Sequence, residues 1–226
     1  MCINQKGSID QEKFMPLPTF DELPFNARPD LTPYLIHLTK NSESKNDRSA
    51  YDNLVKILET GTIKGSKPNE GMIKGNHRAA CFMDVPFASL KYVLTPENTR
   101  QDDPRYEPYG VALTKELAYK RGCRPVLYLS NDEADALKIP KAELWRVVRF
   151  ESQNDGWISW VHEREWRCKD SFKLPTSIQA AFVRNSYEAE DLTKDLVKYA
   201  DDFACKPRAV IPMTVMCQGL LKDPEA

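Results

Sequence analysis

The chain has 226 residues, and its 32 Lys and Arg nearly balance its 33 Asp and Glu, for a formal net charge of −1. That balance excludes the broad positive field that holds nucleic acid non-specifically, while leaving room for a local basic patch. The six cysteines form no C-x-x-C pair and only three histidines accompany them, so no metal site is expected, and most of the cysteines read as small buried hydrophobes.

Residues 1–30 hold Pro16, Pro18, Pro24 and Pro29 interleaved with Phe14, Leu17, Phe20, Leu23 and Phe25. Proline at that density denies regular structure. The expectation is an extended arm lying on the domain or on a partner, followed by one domain over 31–226. YLIHLTK, 34–40, alternates as a strand, with Tyr34, Ile36 and Leu38 on the core face and Leu35, His37 and Thr39 on the other. Ser49 with Asp52 three residues on is a variant capping box, and Leu54, Ile57 and Leu58 form the stripe of a helix that Gly61 ends. A short extended piece and a glycine-rich loop over 65–78 follow.

AACFMDVP, 79–86, is a second strand, and Pro86 opens a short helix. After a polar loop over 95–108, YGVALT is a strand whose Thr114 caps a helix ending at Gly122. RPVLYLS, WRVVRF and SIQAAFV (177–183) are further strands, with a short helix over 132–138 between the first two. An amphipathic helix runs from Tyr187 to Tyr199 with Leu192 and Leu196 on its apolar side, and AVIPMTVM is a last strand. Many strands with a few short helices give α+β, with antiparallel pairing dominant. No stretch is apolar and long enough to span a bilayer; a cytoplasmic protein with reduced thiols, no signal peptide and no membrane contact is expected.

Trp157–Lys169, WISWVHEREWRCK, reads as a single strand. Residues two apart share a strand face, so Glu163 and Glu165 would lie roughly 6.6 Å apart on one face, with Arg167 continuing it. Trp157, Trp160 and Trp166 crowd the segment and suggest a walled polar site. The same residues also fit ordinary ion pairs with neighbouring strands, which contribute little.

The runs L-I-H-L-T, V-K-I-L-E-T-G-T-I, A-C-F-M-D-V-P, Y-E-P-Y-G-V-A-L-T-K-E, R-G-C-R-P-V-L-Y, W-R-V-V-R-F and H-E-R-E-W-R occur in that order across about residues 34–183. Together they resemble the AbiGi-like abortive-infection proteins of bacteria and, more distantly, DarT-type ADP-ribosyltransferases. The chain departs from that pattern at His37-Leu38-Thr39 and at Cys81-Phe82-Met83-Asp84. The resemblance implies an ADP-ribosyltransferase-like split antiparallel β-sandwich with short flanking helices, gripping NAD as substrate. By the same resemblance His37 and Thr39 would bind a ribose, Tyr109 or Phe82 would stack on nicotinamide, Glu165 would be the essential carboxylate and Glu163 would orient the acceptor. The activity implied is transfer of ADP-ribose to a nucleic-acid or protein acceptor by a toxin of anti-phage defence, with an antitoxin or chaperone as a further partner. An NAD glycohydrolase of the same fold, and a non-catalytic sensor or partner-binding module using the same cleft, are the alternatives. Lys67, Lys74, Arg78, Arg100 and Arg105, on the loops over 65–78 and 95–108, are candidate acceptor contacts.

Overall fold

A computed structural model describes residues 28–41, 48–68, 72–100, 104–153 and 156–217. The expected N-terminal arm lies outside the described residues except for its last three.

The strand β1, Tyr34–Leu38, pairs antiparallel with β4, Gly110–Thr114, so that His37 faces Val111 across the ladder. On its other side β4 pairs antiparallel with β13, Ala180–Val183, which runs parallel to β15, Val210–Pro212. The sheet order is β1-β4-β13-β15. Alternate residues of these strands enter two apolar clusters. Leu35, Val111, Leu113, Ala181 and Val183 join one; Ile36, Ala112, Ala180 and Phe182 join the other. Burial on both faces explains why GVALT and AAFV carry continuous apolar runs rather than an in-out alternation. It also corrects the reading of β1, in which only the Ile36 face was core: Leu35 is fully buried too.

The second sheet has order β3-β10-β5, with β3 at Ala79–Phe82, β5 at Arg124–Pro125 and β10 at Trp166–Lys169, all antiparallel. Ala80 and Phe82 of β3 and Cys168 of β10 face the same cluster as Leu35 and Val111, so that cluster lies between the sheets. Helix α1, Ala50–Thr60, completes it with Leu54 and Leu58. Ser49 and Asp52 form a reciprocal capping box at its start, and Gly61 ends it in the left-handed region at φ 59°. Beyond it, β2, Thr62–Lys64, pairs with β11, Ser171–Lys173.

The remaining elements enclose this frame. Helix α2, Lys115–Lys120, is capped by Thr114; α3, Asn131–Ala136, has its own capping box at Ser130; α4 spans Ser186–Lys198; and α5, Met213–Met216, takes the second half of the expected last strand. Strands β6, Leu127–Leu129, and β7, Val147–Arg149, pair parallel; β8, Glu151–Gln153, and β9, Gly156–Ile158, form a hairpin. Strands β12, Ser177–Ile178, and β14, Lys206–Pro207, also pair parallel. The result is mixed α+β with several small sheets. No described helix is long and apolar enough to cross a membrane.

The segment expected to run as one strand from Trp157 to Lys169 does not. After β9 the chain makes a 3-10 turn at Val161–Glu163, and Arg164 is left-handed at φ 45° before β10 begins. The turn carries the chain past the end of β3, where Asp84 N–H donates to the Glu163 carbonyl at 3.1 Å and Arg164 Nε donates to the Asp84 carbonyl at 2.8 Å. Local 3-10 bonds from Glu163 to Trp160 and from Arg164 to Val161 satisfy backbone groups that a ladder would otherwise have taken.

Candidate functional site

Among the described residues the two sheets are joined by a single backbone bridge. Ile36 N–H donates to Met83 at 3.0 Å and Met83 N–H to Ile36 at 2.8 Å. The bridge is isolated, and one residue further along, the His37 ring takes over the connection, with Nδ1 2.8 Å from the Cys81 carbonyl. Where β1 and β3 part, a cavity of about 490 Å³ opens, within the roughly 300–1,000 Å³ usual for small-molecule sites. Its walls come from β1, α1, β2, β3, the segment at Arg105–Tyr106 and the turn carrying Glu163 and Glu165.

His37 reaches the cavity in a defined protonation state. A carbonyl can only accept, so Nδ1 carries the proton toward Cys81 and Nε2 is left as an acceptor. Burial pushes the imidazole below its ordinary value, with the bond to Cys81 opposing, so the ring is neutral at pH 7. Gly110 makes room for this arrangement: a Cβ there would stand 2.2 Å from the His37 carbonyl oxygen.

Glu165 and Arg167 are the most buried charged pair at the site, 8% and 2% exposed. Arg167 Nε and Nη2 donate to the two Glu165 oxygens at 2.7 and 3.2 Å, and Nη1 donates to the Trp145 carbonyl at 2.9 Å. Burial is the strongest single influence and works against the guanidinium, yet the charge and hydrogen bonds of Glu165, with Cys81 beside it, together raise Arg167 above its ordinary value. A carboxylate has about four acceptor positions, so the fork leaves Glu165 able to accept from a ligand while fixing its aim. The Glu165 N–H donates to the Tyr128 hydroxyl at 2.9 Å. The Cys81 thiol on the opposing strand is pushed up, by burial first and then by the charge of Glu165.

Glu163 lines the same cavity with different partners. The Tyr106 hydroxyl donates to its Oε1, and Arg105 lies 3.9 Å from that oxygen. Burial raises the Glu163 carboxyl above its ordinary value; the Tyr106 bond opposes this and the neighbouring Glu165 charge adds to it. Arg105 also rests 4.1 Å over the Trp160 ring. The rim of the cavity is basic, with Lys40, Arg48, Lys56 and Lys64 joining Arg105.

Of the six residues singled out from the sequence, five line this cavity: His37, Thr39, Phe82, Glu163 and Glu165. Thr39 is nonetheless spent on structure, its hydroxyl donating to the Ala50 carbonyl at 2.8 Å. Phe82 is 2% exposed and packs edge-on against Phe172, 5.4 Å between centroids, so it offers a ligand little of its face. Tyr109 lies elsewhere, in the core, donating to Glu188 of α4 at 2.9 Å. Trp157 is 68% exposed, and none of Trp157, Trp160 and Trp166 lines the cavity, so tryptophans do not wall it. Among the loop cations, Arg105 lines the cavity, whereas Lys74 donates to Asn131 at 2.6 Å and Arg78 to the Gly65 carbonyl at 3.1 Å. Sequence reasoning gave Tyr106 no role, and it placed Arg167 on the Glu165 face without a role in the site. Tyr106 sits beside the flagged Arg105, and Arg167 two residues from Glu165, which is the signal that could have found each. No group of three or more His, Cys, Asp or Glu that could hold a metal occurs among the described residues.

No model of a known protein family matches the chain, and no curated protein does. A solved structure is similar to the chain. It is that of Thermus sp. 2.9 DarT in complex with NAD+, at 16% identity and a TM-score of 0.43, over 79% of this chain and 94% of that one.

Proposed function

We propose that this chain cleaves NAD at the bond between nicotinamide and ribose and passes ADP-ribose to a macromolecular acceptor, a nucleic acid or a protein. The observation that carries the reading is the meeting, in one cavity, of a neutral imidazole acceptor, the buried carboxylate of Glu165 with the half-buried one of Glu163 two residues before it, and a basic rim. The rim suits a diphosphate. Nε2 of His37 suits a sugar hydroxyl. Glu165, clamped by Arg167, supplies a fixed negative charge where a cation must develop.

Cleavage breaks the bond from ribose C1′ to the ring nitrogen. The electron pair leaves with nicotinamide, whose ring loses its charge, and the sugar becomes oxocarbenium-like. A pre-aimed carboxylate stabilises that state without reorganising. An acceptor oxygen or nitrogen then bonds to C1′, and its proton passes to Glu163, which releases it to solvent. The motif resemblance to abortive-infection proteins gives the biological setting we propose, that of a toxin in anti-phage defence.

The test is nicotinamide release and label transfer from labelled NAD in a cell lysate. Glu165→Gln keeps the size of the side chain and removes its charge, and release should fall about a hundred- to a thousandfold. Glu190→Gln, on the exposed face of α4, should leave release unchanged. Wild-type release from the Glu165 variant would sink the assignment. Release without any labelled macromolecule would make the chain a glycohydrolase, with water as acceptor.

A further inference from the structure

The proposed acceptor step needs Glu163 without its proton, yet burial favours the protonated form. The groups that face Glu163 pull in both directions. Glu165, on the same turn, adds negative charge, while Arg105 and His162 oppose it. The thiol of Cys81 and the hydroxyl of Tyr128 feel the Glu163 charge from neighbouring strands. Tyr106 is the one described side chain hydrogen-bonded to a Glu163 carboxylate oxygen, and it reaches that oxygen from a different part of the chain, 57 residues away in sequence. Both side chains line the cavity. The phenol of Tyr106 is itself held well above its ordinary range, by burial first and then by Glu163, so it stays a donor and does not compete for the role of base.

We propose that Tyr106 is a positioning residue for Glu163, holding that carboxylate aimed through its hydroxyl hydrogen bond, so that acceptor activation depends on Tyr106 more than nicotinamide cleavage does. This rests on the transferase reading above. The hydroxyl donates to one oxygen, which turns the carboxylate plane and leaves the other oxygen for the acceptor. A donor to a carboxylate favours the charged form, which offsets part of the burial.

The experiment compares the full chain with its Tyr106→Phe variant, which keeps the ring and loses the donor. One measurement follows the Glu163 carboxyl by carbon NMR across pH, with the signal assigned through Glu163→Gln. The other follows nicotinamide release and transfer of labelled ADP-ribose to lysate macromolecules across the same pH range. The expected result is an upward move of the Glu163 titration in Tyr106→Phe, with the acid limb of transfer moving the same way. Transfer should fall roughly tenfold on the acid limb and recover as the pH rises above the Glu163 titration, in keeping with loss of a poised base, while nicotinamide release falls less at every pH. An unmoved Glu163 titration overturns the proposal, as does a fall in transfer that is uniform across pH. If the unsubstituted chain releases no nicotinamide while Tyr106→Phe still shifts Glu163, the transferase reading fails and the control of Glu163 by Tyr106 stands.

Discussion

Glu165 and Arg167 each depend on the other for burial. The two-residue spacing places them side by side at the start of β10, and Arg167 is closed off by the carbonyls of Trp145, Val147 and Met72. An ion pair out of water is held by geometry more than by gain: removing one partner costs about 3–5 kcal/mol, because the other stays behind uncompensated. Arg167→Met should therefore lower stability by about that amount. Glu165→Gln should cost less, about 1–3 kcal/mol, since the amide oxygen still accepts from the guanidinium. Combining the two should cost clearly less than their sum in urea unfolding; strict additivity would mean that the pair is not coupled. Loss of turnover in Glu165→Gln is accordingly to be judged beside its urea midpoint. Glu163 makes a separate prediction. Its folded value is raised, by burial first, so between 4.5 and the raised value the folded chain binds more protons than the unfolded one. In that window stability falls as pH rises, and above it the penalty is constant. Glu163→Gln removes an ionisable group but keeps an acceptor for Tyr106, so it should stabilise the fold at neutral pH and lose that advantage below pH 4.5. A urea midpoint difference that stays flat with pH would contradict this.

At the scale of elements, the local signals were readable where local chemistry decides. Helix α1 begins and ends as Ser49, Asp52 and Gly61 imply, because a cap and a left-handed C-terminus depend on a few consecutive residues. The segment from Trp157 to Lys169 departs from the single strand its sequence implies for the converse reason. Alternating charges at Glu163, Glu165 and Arg167 are compatible with a strand, but the chain has to pass the end of β3, a demand made by Asp84 some eighty residues earlier. Arg164 meets it with a left-handed backbone that its own sequence does not announce. The place of Tyr109 is hidden from the sequence in the same way, since only the packing of α4 shows that its hydroxyl donates to Glu188. Gly110 illustrates a constraint that appears only once strands are paired. It faces Leu38 across β1 and β4, and any side chain there meets the His37 carbonyl. Gly110→Ala must push β1 away at the residue that lines the cavity. Overpacking of this kind typically costs about 1–3 kcal/mol, and nicotinamide release should fall beyond what the lost stability explains. A variant with a lowered melting temperature and unchanged release would show that His37 need not be held where it is.

The molecule as a whole places its cavity at a seam. One sheet brings β1, the other brings β3, and they are joined by the Ile36–Met83 backbone bridge, the His37–Cys81 bond and the shared apolar cluster. A ligand in the cavity touches β1, α1 and β2 on one side and β3 and the Glu163 turn on the other, so binding should tie the two sheets together. Saturation with NAD at a hundred times its dissociation constant adds about 2.7 kcal/mol of stability, which for a chain of this size raises the melting temperature by roughly 5–10 °C. The gain should shrink at high salt, because the exposed cations of the rim are screened. It should also be local. Amide exchange should slow at residues 36–39, 53–60 and 79–83, while α4, which contributes nothing to the cavity, keeps its rate. The enzyme and sensor readings separate here. An enzyme shows this stabilisation together with nicotinamide release, and a sensor shows it without release. Neither stabilisation nor local protection at saturating NAD would remove the cavity from consideration as the NAD site.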